Sequence, residues 1–337
     1  MILSSRTLNV EYLHLKYNCL NGEFLEKGSV NPEKLLSNTF FDSENYILGQ
    51  AKVKIIDYCS DESKNKPTFV LVGGLAVNLY DWQDFIIALS KFGRVIAVDI
   101  LGTKFSDYKH YEFYQSLDSQ TNVLNQVFSL LDISKAVLIG HSMGGVVVEA
   151  FTRFFPEKVS RLVLLDGSFE QNVRDIDYVL HDNLPRRRFN LFSGLVSRAL
   201  FSLNNFYIGR KFFAQIACLF RFRELKTLTK GEMKKLLVTG FVEEDSTLAI
   251  LSYGKSYDLW FSQLNNLEKS LTVPTLIVGA TMSKCGKENH WIHLLKKKTS
   301  LLSEKEKAEA KFVKVYASHM LMRDIPVRLS KIIKNFI

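Results

Sequence analysis

Residues 136–155 read AVLIGHSMGGVVVEAFTRFF. Ala136 to Ile139 form an apolar run that fits a buried strand, and Gly145 to Phe155 carry helical periodicity. Between them Gly140, His141, Ser142, Met143 and Gly144 make the pattern Gly-x-Ser-x-Gly. A strand that passes directly into a helix must turn sharply, which pushes the serine at the apex into a strained backbone conformation. Glycines two residues to either side leave room for the close backbone approach that such a turn requires. The Ser142 hydroxyl is then expected to stand exposed at the carboxyl end of a sheet, at a helix amino terminus whose free N–H groups favour developing negative charge. The pattern by itself also fits a glycine-rich turn around a buried serine. A strand before it and a helix after it favour the nucleophile turn.

Working outward, Lys52 to Asp166 alternate short β-rich runs with helical stretches, as a parallel sheet covered on both faces requires. Strands are expected at Val53 to Tyr58, Thr68 to Val72, Arg94 to Asp99, Ala136 to Ile139 and Arg161 to Leu165, with helices at Trp82 to Lys91, Asn122 to Leu131 and Gly145 to Phe155. Most of these strands are continuously apolar, consistent with burial on both faces. The rhythm stops after Asp166, and from Phe169 to about Leu267 only helical periodicity rich in Phe and Arg is found. It resumes with Thr272 to Val278, a helix near His290 to Lys297, a strand Phe312 to Tyr316 and a last helix from Val327 to Ile337, which Asp324 is expected to cap. The expected organisation is an amino-terminal extension (1–52), a first core segment (53–168), a helical cap (169–267) acting as a lid, and a second core segment (268–337). Within the extension, Asn31 followed by Pro32 and Glu33 looks like a helix start.

Composition bounds the class. Hydrophobic residues make up 47% of the 337 and charged residues 23%, as in a folded globular chain, which excludes disordered and fibrous classes. Arg6, Asn9 and Glu11 interrupt the first dozen residues, so no secretory signal is expected there, and no run reaches membrane-span length. Cys19, Cys59, Cys218 and Cys285 are scattered without metal-ligand spacing, so free thiols, a cytoplasmic setting and neither metal nor cofactor are expected. The net charge is +9, and Phe169 to Lys235 hold thirteen Lys and Arg against six Asp and Glu. Interleaved with Phe189, Phe192, Phe201, Phe212 and Phe213, these cations fit a lid that closes over a hydrophobic group and meets an anionic membrane surface, or ordinary amphipathic helices with solvated Arg. No groove-reading or stacking motif accompanies the charge, so nucleic acid is not expected as a partner.

An activated serine needs a base within hydrogen-bond reach, and that base needs an orienting group. His319 follows the strand Phe312 to Tyr316 and precedes the last helix, at a strand's carboxyl end. His14, His110, His181, His290 and His293 have no comparable placement, and His141 is expected to pack beneath the turn. Acyl transfer also needs oxyanion donors. The backbone N–H groups of Met143 and, after Gly73 and Gly74, of Leu75 are the candidates.

With these motifs in place the chain resembles the α/β-hydrolase family over Val53 to Asp166 and Thr272 to Ile337. The resemblance rests on the serine turn, the Gly73 and Gly74 loop, the Asp99 and Gly102 turn followed by Ser106, the Phe155, Pro156 and Glu157 linker, and Ser318 with His319. It implies a mostly parallel sheet with helices on both faces, a helical cap inserted after the sixth strand, and a serine, acid, histidine order. The acid departs from the usual pattern: Val278 to Lys284, where most relatives carry Asp, contains no carboxylate. Asp166, directly after the sixth strand, and Glu288 on the later loop are the two candidates, and a Ser–His pair without an acid is the third arrangement. The reading that follows is a serine hydrolase acting on a hydrophobic, lipid-like or other small-molecule ester or thioester. A carbon–carbon bond hydrolase or acyltransferase could use the same groups, and a binding protein could keep the fold without turnover. Serine rather than Asp at the turn argues against epoxide hydrolase chemistry.

Overall fold

The computed structural model describes residues 11–18, 40–41, 47–59, 66–74, 77, 79–98, 117–167, 260–281, 290–306 and 308–337. Among these, the strands β1 Glu11–Asn18, β2 Phe40–Phe41, β3 Ile47–Tyr58, β4 Thr68–Val72, β5 Arg94–Val98, β6 Ala136–His141, β7 Val159–Leu165, β8 Thr275–Thr281 and β9 Ala310–Tyr316 form one sheet. Its order is β1-β3-β5-β4-β6-β7-β8-β9, with β2 also paired to β3. From β5 to β9 every pairing is parallel. The pairings of β3 with β1, β2 and β5 are antiparallel.

The helices are α1 Gln83–Leu89, α2 Leu117–Leu130, α3 Met143–Phe154, α4 His290–Lys305, α5 Leu321–Asp324 and α6 Pro326–Lys334. Alternate residues of each strand point to opposite faces. Val70, Val72, Leu138, Leu162, Leu164 and Ile277 therefore pack under α2, α3 and α4, while Phe69, Leu71, Ile139, Val163, Leu165 and Val278 pack under α1, α5 and α6. With helices on both faces, the central parts of β4 to β8 are apolar on both sides of the sheet. After β4 the chain goes to β5 on one side and then to β6 on the other. Such a reversal leaves a crevice at the strands' carboxyl ends, bordered by Gly73 and Gly74 after β4 and Ser142 after β6.

Several boundaries differ from expectation for physical reasons. β3 starts at Ile47, so the division at residue 52 falls inside a strand, and the extension contributes β1 and β2 to the sheet. β8 starts at Thr275 because Pro274 has no N–H to give the ladder. The last helix, α6, runs Pro326–Lys334 with Pro326 in its first turn, close to the expected Val327 to Ile337, and the short helix α5, which was not expected, precedes it. Of the expected cap, residues 260–267 are described; 260–265 are helical, and Trp260, Phe261 and Leu264 are buried with α2, α3 and α4. The remainder of the cap, the Asn31–Glu33 helix start and the turn holding Asp99, Gly102 and Ser106 lie outside the described residues. Among the described residues no helix is long and apolar enough to cross a membrane.

Candidate active site

Ser142 occupies φ 52°, ψ −125°, a left-handed conformation that side chains seldom adopt. Its N–H donates to the Leu165 carbonyl (3.0 Å), and its own carbonyl accepts the Gly145 N–H (2.9 Å). The neighbouring glycines make the turn possible by close packing. A Cβ on Gly144 would lie 2.3 Å from the Gly73 oxygen and 2.5 Å from that of Val72, and one on Gly140 would lie 2.4 Å from Val148 Cγ2. The loop after β4 runs directly against the serine: a Cβ on Gly74 would come within 2.6 Å of Ser142 Cβ and 3.2 Å of its Oγ. Met143 opens α3, so its N–H is one of the first-turn donors that have no acceptor inside the helix. Leu75, the other expected oxyanion donor, lies outside the described residues.

Asp166 ends β7 at φ 49°, and Gly167 follows so tightly that a Cβ there would overlap the Ser142 backbone, 2.2 Å from its oxygen. The Asp166 side chain is buried, with Oδ2 2.6 Å from His319 Nδ1. A carboxylate only accepts, so Nδ1 carries the proton and the Nε2 of a neutral ring is left as an acceptor. The His319 side chain is 42% exposed, so its ring is open to solvent on the side away from Asp166. Asp166 Oδ1 accepts two further hydrogen bonds, from the Ala280 backbone N–H (2.8 Å) and the Trp291 indole N–H (2.7 Å). The β8 end, where most members of the resembled family carry Asp, thus supplies a donor to the carboxylate that follows β7.

His141 is fully buried beneath the turn, as expected. Its Nε2–H donates to the His319 carbonyl (2.8 Å), and its ring lies 4.7 Å from the His319 ring and edge-on to Trp82. Asp324 does not cap α6. Its Oδ2 accepts the Ser318 N–H (2.7 Å), and Ser318 Oγ accepts the Met320 N–H (3.2 Å), so Asp324 braces the His319 loop; Ile325, at the head of α6, makes no side-chain cap. The structure therefore brings Ser142, Asp166 and His319 to one rim of the sheet. Glu288 lies outside the described residues, and the Nδ1 proton it would have taken is already held by Asp166. Sequence reasoning missed Trp291, Ala280 and Gly167. The Asp-Gly pair at a strand end was a usable hint for Gly167, whereas nothing local marks an indole that reaches across two elements.

A model of the alpha/beta hydrolase fold matches residues 67–320. The chain belongs to the alpha/beta hydrolase fold family. The chain is 24% identical over 187 residues to mouse epoxide hydrolase 4, covering 54% of this chain and 52% of that protein. It is 33% identical over 127 residues to the 2-hydroxy-6-oxononadienedioate/2-hydroxy-6-oxononatrienedioate hydrolase of Paraburkholderia phymatum, covering 36% and 43%. The chain thus spans about half the length of these curated relatives or less. Among solved structures it superposes on a "probable hydrolytic enzyme" of Pseudomonas aeruginosa with TM-score 0.63 and 17% identity over 98% of this chain and 95% of the other, a likeness that carries the fold.

Proposed function

We propose that this chain is a serine hydrolase that cleaves a carboxylic ester or thioester of hydrophobic character through an acyl-enzyme. The observation that carries the reading is the buried Asp166 carboxylate on His319 Nδ1, set on the rim that holds the strained Ser142. In this reading His319 Nε2 takes the Ser142 hydroxyl proton as the oxygen attacks the carbonyl carbon. Asp166 stabilises the resulting imidazolium, and the N–H groups of Met143 and Leu75 hold the oxyanion. Collapse expels the alcohol or thiol, protonated by His319. Water then repeats the sequence on the acyl ester.

The relatives named epoxide hydrolases do not move this assignment. Attack on an epoxide carbon by a serine hydroxyl would leave an alkyl ether, which water does not cleave, whereas an acyl serine ester is readily hydrolysed. The Paraburkholderia phymatum relative, a 2-hydroxy-6-oxononadienedioate/2-hydroxy-6-oxononatrienedioate hydrolase, favours a second reading in which the same groups hydrolyse a carbon–carbon bond beside a carbonyl. A fluorophosphonate probe tests the serine in both. We expect labelling of the wild-type protein that disappears in Ser142→Ala and His319→Ala. Folded wild-type protein that takes no label would overturn the assignment and leave a binding protein on a hydrolase fold. Parallel turnover of p-nitrophenyl esters and of a 2-hydroxy-6-oxo acid then separates the two substrate classes.

A further inference from the structure

Asp166 stands at the end of β7 rather than on the loop after β8, and its position creates a requirement that a single bond to His319 does not meet. A carboxyl group turns easily about its last torsion, which is broad and two-fold, so an acid held at one oxygen can swing away from the imidazole. Here Oδ1 is fixed from two directions. The Ala280 N–H comes from β8, part of the sheet itself, and the Trp291 Nε1–H comes from the first turn of α4. The indole is the one side chain among the described residues that donates to this oxygen, and α4 is anchored in turn by the buried Lys298 ammonium on Glu149 of α3, the helix that Ser142 begins.

We propose that Trp291 is a positioning residue for the reaction: its indole N–H holds Asp166 in the rotamer that aims Oδ2 at His319 Nδ1. The inference rests on Asp166 being the acid of the site proposed above. It makes α4, a helix remote in sequence from the serine turn, part of the machinery that keeps the base in the correct tautomer and orientation.

The test is a double-mutant cycle between positions 291 and 166 in the full chain, read as kcat and KM on p-nitrophenyl butyrate and as the second-order rate of fluorophosphonate labelling. Trp291→Phe removes the N–H and keeps an aromatic ring. It is expected to lower kcat and the labelling rate about tenfold, the loss typical of a hydrogen bond to a charged group, with KM within about twofold of wild type. In an Asp166→Asn background the same change is expected to have no further effect, because the bond it removes then positions nothing. Equal losses in both backgrounds would show a merely structural tryptophan and overturn the proposal. So would undiminished kcat and labelling in Trp291→Phe. Should Trp291→Phe fail to fold, L-3-benzothienylalanine incorporated at position 291 keeps the bicyclic shape and replaces only the N–H by sulfur, with the same expected and overturning results. Undiminished activity in Asp166→Asn alone marks a different failure, that of the acid assignment on which the proposal rests.

Discussion

At Ser142 the backbone is held at φ 52°, ψ −125°, where a residue with a Cβ is strained by roughly 1–3 kcal/mol. Glycine relieves that strain but loses about 0.4–1 kcal/mol through the greater freedom of its unfolded chain. The first effect is larger, so Ser142→Gly is expected to be about 1 kcal/mol more stable than Ser142→Ala in urea denaturation, with both inactive. A finding of equal stability would mean that the turn costs the serine nothing. The proposed acid, Asp166, carries a second prediction. Asp166→Asn would present either an amide N–H₂ that cannot accept from Nδ1–H or an oxygen without charge, so His319 would lose its tautomer control or the support for its imidazolium. Ester turnover is expected to fall on the order of 10³-fold or more, with folding retained. Glu288→Gln serves as the control and is expected to stay within a factor of about two, because Asp166 already occupies Nδ1.

Elements dock here through glycines whose tolerance depends on what faces them. α3 meets the loop after β4 at Gly144, where an added Cβ would strike main-chain oxygens of Gly73 and Val72, atoms that cannot step aside without moving β4. Gly144→Ala is therefore expected to cost about 2–3 kcal/mol and to reduce activity by displacing the serine turn. On β8 the contrast is instructive. A Cβ on Gly279 would meet the terminal methyls of Ile292 and Leu295 on α4 at 2.8 and 3.0 Å and the Phe312 ring at 3.1 Å, side-chain atoms rather than main chain, of which the methyls can shift. Gly279→Ala is expected to cost about 1 kcal/mol, less than Gly144→Ala, in the same denaturation series. If both changes cost the same, rigid backbone contact is not what sets the price at Gly144.

Across the whole molecule, a buried charge network ties the two parts of the sheet that residues 168–259 separate in sequence. Glu149 on α3 binds Arg153 and Lys298, and Arg153 also binds Glu306 (2.8 Å) and the Lys269 carbonyl (2.8 Å). Burial by itself would depress the Arg153 guanidinium, yet Glu149 and Glu306 outweigh it and hold its pKa above the ordinary range. Removing one member leaves charge stranded in low dielectric. Lys298→Met is expected to destabilise the fold by about 3 kcal/mol, at the low end for a broken buried pair because Arg153 still neutralises Glu149; loss below about 1 kcal/mol would show the network to be dispensable. Much of this architecture was legible beforehand. The parallel strands β4 to β9 were placed within about three residues, most of them because burial on both faces writes an apolar run, while the edge strand β9 showed as alternating Phe312, Val313 and Val315 between lysines; the candidates Ser142 and His319 came from motif and strand-end position, and the candidate Asp166 from the family resemblance. β1 and the start of β3 were not read, although Leu13, Leu15 and Tyr17 alternate with polar residues, because an antiparallel edge needs only one apolar face and so leaves a weaker mark. What the amino-acid order alone determined was the class of fold and the chemical types at its turns, since hydrophobic period and glycine placement are local properties of the chain. Which carboxylate meets the imidazole, and that an indole from α4 and an amide from β8 hold it there, was decided only by tertiary structure, because hydrogen bonds between residues more than a hundred positions apart depend on strand order and helix packing that no local pattern encodes.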